Sequence, residues 1–160
     1  MPPTLLDNIR DWLTRENVPF REVHHEPTFT SEESARARGE ELRVGGKALL
    51  MRAGADFALF VLPADRKVDS GAIRRELALG KLRFASREEL AELTGLVPGS
   101  VPPFGPPILT FPLYVDAAVQ SSDRIAFNAG SLTDSIILPI ADYLRLARPQ
   151  KVFAFSVAPS

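Results

Sequence analysis

The 160 residues predict a single mixed α/β domain spanning 1–160, with a central curved mixed β-sheet flanked by helices. Three observations predict it. Short apolar runs of strand length alternate with segments whose apolar residues recur at helical spacing. The connection Arg52-Ala53-Gly54-Ala55-Asp56 has the length and the glycine of a hairpin loop, which puts antiparallel pairs into the sheet. Hydrophobic residues make up 45% of the chain and charged residues 24%, so a chain of this length buries a proper core and disorder is expected only at its ends.

The elements follow in order. Thr4 caps a helix over residues 5–16, in which Leu5, Leu6, Ile9, Trp12 and Leu13 mark one face. Asn17-Val18-Pro19 ends it, and residues 20–25 read as a strand that Pro27 breaks. Thr30 or Ser31 caps a second helix carrying Glu32, Glu33 and Ala35, and Gly39 stops it. Ala48 to Met51 and Phe57 to Leu62 are the two hairpin strands, and Pro63-Ala64-Asp65-Arg66 turns the chain. Ile73 to Leu79 is helical by spacing, Leu82 to Phe84 is a brief strand, and Ser86 caps a helix over residues 87–93.

Residues 95–107 hold five prolines and three glycines, which excludes regular structure. Apolar segments continue on both sides, so this is a long rigid loop inside one domain, a kind of loop often tied to function. Strands follow at 109–115, 124–127 and 135–139, then a helix at 140–146, a break at Pro149 and an apolar tail at 152–157. Asp116 reads as a turn former with no chemistry.

Composition removes several functions. There is no cysteine, which excludes disulfides, thiolate metal sites and cysteine nucleophiles. His24 and His25 are neighbours that a strand would point to opposite faces, so no metal site is expected. The net charge is -1, so no global positive field draws in nucleic acid, and an RNA contact has to come from a local patch or an RNA end. Arg36, Arg38, Arg43, Arg74 and Arg75 are the residues that could gather into one. No apolar run approaches the roughly 20 residues needed to span a bilayer, and residues 1–4 lack the signs of a signal peptide, so the expectation is a cytoplasmic protein.

Four segments carry candidate chemistry. Lys47 follows two glycines and opens an apolar strand, where it either snorkels to water or presents its ammonium into a cleft. A P-loop is excluded, because Glu41 stands where its first glycine belongs and Ala48 replaces its Ser/Thr. Gly95-x-x-Pro98-Gly99 is either a structural proline turn or a turn that holds backbone N–H groups toward a developing oxyanion. Asn128-Ala129-Gly130-Ser131-Leu132-Thr133-Asp134-Ser135 is dense in small polar groups, which turns explain as well as a site does. His25 is either a general base or a structural hydrogen-bonding group, and a serine hydrolase could only pair it, or His24, with a serine such as Ser131.

In this order, these pieces resemble the YbaK-type aminoacyl-tRNA deacylases, free-standing relatives of the editing domain inserted in bacterial prolyl-tRNA synthetases. The resemblance runs over roughly residues 5–147. It is carried by Phe20 to Pro27 with Thr30, Gly46 to Leu50, Phe57 to Asp65, Leu82 to Ser86, Leu93 to Gly99 leading into Val101 to Gly105, and Ile125 to Ser131. No single motif is specific, but the ordered set is. It departs where relatives carry a histidine and this chain has Leu132 or Asp134, so no role is assigned to Thr133 or Asp134.

The resemblance implies hydrolysis, without metal or cofactor, of the ester joining a mischarged amino acid to the tRNA 3′ end. Lys47 matches the family lysine and is the expected catalytic group. Gly95, Pro98 and Gly99 match the loop facing the aminoacyl carbonyl. His25, Thr30, Phe104, Gly105, Asn128, Gly130 and Ser131 are expected to line the substrate site. The nucleophile would be a positioned water, or the substrate itself in the cysteine-selective branch, with proximity and fixed dipoles supplying much of the acceleration. Alanyl-tRNA(Pro) is the first expected substrate, with cysteinyl, seryl and threonyl esters as alternatives, and a non-catalytic binding module of the same fold is the competing reading. The expected partner is the tRNA acceptor end, helped by prolyl-tRNA synthetase or an elongation factor.

Overall fold

A computed structural model describes residues 3–159. Its elements run α1 (Leu5–Arg15), β1 (Arg21–His24), α2 (Ser31–Arg38), β2 (Gly46–Ala53), β3 (Asp56–Pro63), β4 (Lys67–Val68), α3 (Ser70–Glu76), β5 (Leu82–Phe84), α4 (Arg87–Thr94), β6 (Leu113–Asp116), β7 (Arg124–Asn128), β8 (Asp134–Pro139), α5 (Ile140–Ala147), β9 (Lys151–Phe153) and β10 (Ser156–Val157). Short 3-10 turns lie at Leu42–Val44 and Ala117–Ser121.

A five-stranded mixed sheet has the order β5-β2-β3-β6-β9, and a three-stranded antiparallel sheet has the order β1-β8-β7. The expected five-residue connection between β2 and β3 is only Gly54-Ala55, because pairing continues to Ala53 opposite Asp56. Gly54 takes a left-handed φ of 69°, the conformation a tight turn demands and glycine adopts without strain. A parallel bridge between Gly45 and Ala126 joins the two sheets just before Lys47.

Helix starts follow their caps. Thr4, Thr30 and Ser86 each form a capping box, with Asp7, Glu33 and Glu89 reaching back to the cap backbone. The third helix lies three residues earlier than its apolar spacing predicted, because Asp69 caps it by accepting from the Ala72 N–H. Ala78 at φ 54° has already left it.

The strand expected over 109–115 shortens to Leu113–Asp116. The amides of Ile108 and Leu109 are turned back onto the Gly105 carbonyl, and Pro112 has no N–H to donate to a ladder. The apolar tail divides into β9, parallel to β6, and β10, antiparallel to β4. Asp116 holds that division together: it is 1% exposed and accepts from the Phe155 N–H at 2.7 Å and from the Ser156 hydroxyl.

The principal core spans both sheets and takes in α1 and α5. Its aromatic centre fixes the proline-rich loop. Phe104 is fully buried, with ring centroids 5.1 Å from Trp12 and 5.4 Å from Phe127, both edge-on. The Tyr143 hydroxyl, raised well above its ordinary pKa by burial, donates to the Pro103 carbonyl at 2.7 Å. A Cβ on Gly105 would stand 2.7 Å from the Phe111 carbonyl oxygen, so the loop passes there only as glycine. No helix among the described residues is long and apolar enough to cross a membrane.

Candidate active site

A cleft of about 190 Å³ opens where α2 faces the start of β2, with Gly99 and Asn128 on its far side. Lys47 lies in it, half-buried on β2 opposite Leu62. The two preceding glycines are packing requirements. A Cβ on Gly46 would meet Ile125 at 2.4 Å, and one on Gly45 would meet the Ala64 Cβ at 3.0 Å. Burial lowers the pKa of the Lys47 ammonium below that of an ordinary lysine, opposed in part by the charges of Asp65 and Glu32. No carboxylate reaches ion-pair distance of Lys47 among the described residues, and none lines the cleft.

Helix α2 supplies the opposite wall. Thr30, Ser34 and Arg38 stand four residues apart and share one face. The Thr30 hydroxyl caps the helix by accepting from the Glu33 N–H at 3.1 Å. Glu33 in turn accepts from the amides of Phe29 and Thr30, and the first of these bonds holds its carboxyl below the usual range. Ser34 and Thr28 share a buried hydroxyl contact of 2.7 Å. Phe29 lies at the cleft mouth with 77% of its surface exposed.

A polar network drawn from five segments backs the cleft. Arg38 Nε donates to Ser135 Oγ at 2.9 Å, and Nη2 donates to Asn128 Oδ1 at 3.1 Å. Asn128 Nδ2 donates to the Gly99 carbonyl at 2.8 Å. His25 meets Ser135 Oγ through Nε2 and the Glu26 carbonyl through Nδ1, both at 2.8 Å. His25 is not in the cleft lining; the buried Ser135 links it to Arg38 and Asn128.

The structure thus brings Lys47, Thr30, Gly99 and Asn128 into one cleft, with His25 two hydrogen bonds behind it through Ser135. Gly95 is the left-handed cap of α4, its N–H given to Ala91, and it and Pro98 lie outside the cleft lining. Within residues 95–99 the amides of Gly95, Leu96 and Val97 are committed to Ala91, Thr94 and Ser100, and Pro98 has none. The Gly99 N–H is the donor of this segment without a hydrogen-bond partner among the described residues. Phe104 and Gly105 belong to the core, away from the cleft. Gly130 gives its N–H to the Ser100 carbonyl and packs on Leu5, and Ser131 bonds Thr133 and Asp134.

Two possibilities that the sequence left open are decided. Ser131 does not meet His25: its hydroxyl is held by Asp134, which pairs with the exposed His24, so no Ser131–His25 hydrolase forms. Of the five arginines that could have gathered into a patch, Arg38 is buried and Arg43 is tied to Glu41 and Ser122. Arg74 instead joins Arg52, Lys81 and Arg83 around a second cleft of about 550 Å³ at the hairpin end of β2. Sequence reading missed Thr28, Ser34 and Arg38 as cleft groups, and Ser135 as the buried hydroxyl that holds Arg38. Four-residue spacing from Thr30 was the available signal for Ser34 and Arg38. Among the described residues no group of three or more His, Asp or Glu gathers that could hold a metal.

A cleft holding a half-buried lysine, a free backbone donor and no carboxylate suits an ester whose carbonyl oxygen gains charge. The aminoacyl-tRNA editing domain family matches residues 25–146, and the chain belongs to that family. Its members include a multifunctional Ser/Thr-tRNA deacylase, ProXp-y, of Escherichia coli strain K12, 38% identical over 146 residues that cover 88% of this chain and 86% of that protein. A proline–tRNA ligase of Shouchella clausii is 33% identical over 100 residues, covering 62% of this chain and 17% of the ligase. Among solved structures, one provisionally described as a trans-editing enzyme for prolyl tRNA synthetase matches with a TM-score of 0.83 and 25% identity, over 99% of this chain and all (100%) of that one. The fold and the aminoacyl-tRNA deacylase class agree with the sequence resemblance.

Proposed function

We propose that this chain is a trans-editing deacylase that hydrolyses seryl- or threonyl esters from mischarged tRNA, with Lys47 as its catalytic charge. The carrying observation is the cleft: it is small, its wall carries hydroxyl, amide and guanidinium groups, and Lys47 lies across from them without a carboxylate partner. A small pocket alone suited alanine, the first expectation. A polar lining suits a side chain that can hydrogen-bond, because buried polar groups left unpaired by an alanyl methyl carry a penalty. The likeness to a Ser/Thr-tRNA deacylase supports the same choice.

In this reading a water oxygen attacks the ester carbonyl carbon. The carbonyl oxygen becomes an oxyanion facing the Lys47 ammonium and the Gly99 N–H. The carbon–oxygen bond to the terminal ribose then breaks, the ribose oxygen takes up the proton lost by water, and free amino acid and intact tRNA leave. Lys47 supplies charge where charge develops rather than a nucleophile. Phe29 at the mouth offers its exposed ring to the terminal adenine. The cationic cleft of Arg52, Arg74 and Lys81 lies at the hairpin end of β2, about 17 Å from Lys47 and with Arg52 on the other face of the strand, and offers positive charge to tRNA backbone phosphates. The similarity to a segment of a proline–tRNA ligase supports prolyl-tRNA synthetase as the partner that delivers the tRNA.

A panel of seryl-, threonyl-, alanyl- and cysteinyl-tRNAs tests this. Wild type is expected to deacylate the first two fastest, and Lys47→Ala to slow them about tenfold or more. Hydrolysis of no ester, with saturable binding of a non-hydrolysable aminoacyl-adenosine analogue, would instead establish a binding module.

A further inference from the structure

Arg38 is charged, only 8% exposed, and has no carboxylate within ion-pair distance among the described residues. Glu40, the acid that acts on it through space, is already held by Arg124 and Arg21. Burial pushes the guanidinium down to about 10, which still leaves it protonated at neutral pH. A buried guanidinium is stable only when its donors are met.

Two of its five N–H donors are met among the described residues. Nε and Nη2, the side-on fork that grips carboxylates and phosphates, are taken by Ser135 and Asn128. Those bonds fix the plane of the group. Nη1 has no protein partner, although it lies 3.4 Å from where a Gly45 Cβ would be. No side-chain nitrogen or oxygen wholly cut off from solvent lacks a partner among the described residues, so Nη1 reaches solvent, and it lies beside Gly45 in the lining of the cleft that Arg38 shares.

We infer that Arg38 is a specificity-determining residue whose Nη1 donates to the side-chain hydroxyl oxygen of a seryl or threonyl substrate. This rests on the editing reading above. With the side-on fork occupied, the Nη1 donors remain for a ligand, and a serine or threonine side chain provides the neutral acceptor that an alanine lacks. A site built to bond a hydroxyl discriminates against the analogue lacking it, because its buried donor is then left unpaired.

The test compares wild-type kcat/KM for tRNA esterified with serine and with α-aminobutyrate, which replaces the hydroxyl by a methyl group. The seryl ester is expected to be hydrolysed about 10- to 100-fold faster. Arg38→Met is then expected to collapse that ratio toward one, and Arg38→Lys, which keeps the charge but loses the planar fork, to restore part of it. Equal wild-type rates on the two esters would overturn the assignment without any variant. So would an Arg38→Met enzyme that lowers both rates in parallel, the mark of a purely structural arginine. Hydrolysis of neither ester nor any other would instead remove the editing reading on which the assignment rests.

Discussion

Asn128, on β7, donates through Nδ2 to the carbonyl of Gly99 at 2.8 Å, tying the end of a strand to the loop that follows α4. The same side chain accepts from Arg38 and Ser135 through Oδ1. One buried amide thus sets both the Gly99 backbone and the guanidinium plane. Asn128→Ala is expected to destabilise the protein by about 1–3 kcal/mol in urea unfolding, because Arg38 loses an acceptor that water does not fully replace. Deacylation should fall about tenfold or more as Gly99 loses its restraint.

Lys47 is a group whose burial works against folding. Its folded pKa is lowered, so its charged form is less favourable in the native state than in the unfolded chain, and this burden is relieved only as pH rises through that lowered value. Lys47→Met should therefore leave the Tm at pH 7 unchanged or raised while the deacylation rate falls about tenfold or more. A lowered Tm would show that the ammonium contributes to stability.

Glu40 behaves in the opposite sense. Arg124 grips it with Nη2 at 2.7 Å, Arg21 adds a contact at 3.2 Å, and the hydrogen bond from Arg124 holds its pKa below the usual range. Its contribution is complete above the unfolded value and is lost as pH falls through the lowered folded one. Thermal melts at successively lower pH should show wild type losing stability more steeply than Glu40→Gln, with the two curves converging in acid.

Phe29 contributes little to the fold, since 77% of it faces solvent. Phe29→Ala should leave the Tm unchanged but weaken binding of an aminoacyl-adenosine analogue by the stacking energy of one base, about 1–3 kcal/mol. Phe29→Trp should retain binding. Calorimetric titration reads both.

Charge in the second cleft should appear as salt dependence. Arg52, Arg74 and Lys81 have no ion-pair partner among the described residues, whereas Arg83 is paired with Glu89 at 2.7 Å. Replacing Arg52 or Arg74 with glutamine should weaken tRNA binding and reduce the slope of log affinity against log salt by about 1 each. Binding of an isolated aminoacyl-adenosine analogue, which has no acceptor stem, should not change.

Most of the element order was legible in the chain. Thr4, Thr30 and Ser86 announce their helices within four residues, Gly39 and Gly95 end two of them, and the hairpin declares itself through Gly54. Errors fell where apolar content or residue type alone stood in for a hydrogen-bond commitment, local or distant. Leu109 has the hydrophobicity of a strand residue, but its amide is spent on Gly105. Asp116 reads as a turn former, yet it is buried against a tail 39 residues away.

Lys47 and the Gly99 segment could be singled out from the sequence because ordered motifs carry them, and the class of chemistry followed. Assembly of the network behind the cleft could not. Arg38 meets Ser135 across 97 positions and Asn128 across 90, and His25 meets Ser135 across 110. Such contacts exist only once β1, β8 and β7 have paired and α2 has packed beside them. Caps and periodicity report on neighbours within a turn or two of helix or strand. Whether an arginine becomes a solvated surface charge or a buried donor depends on which distant acceptors the closed fold sets against it.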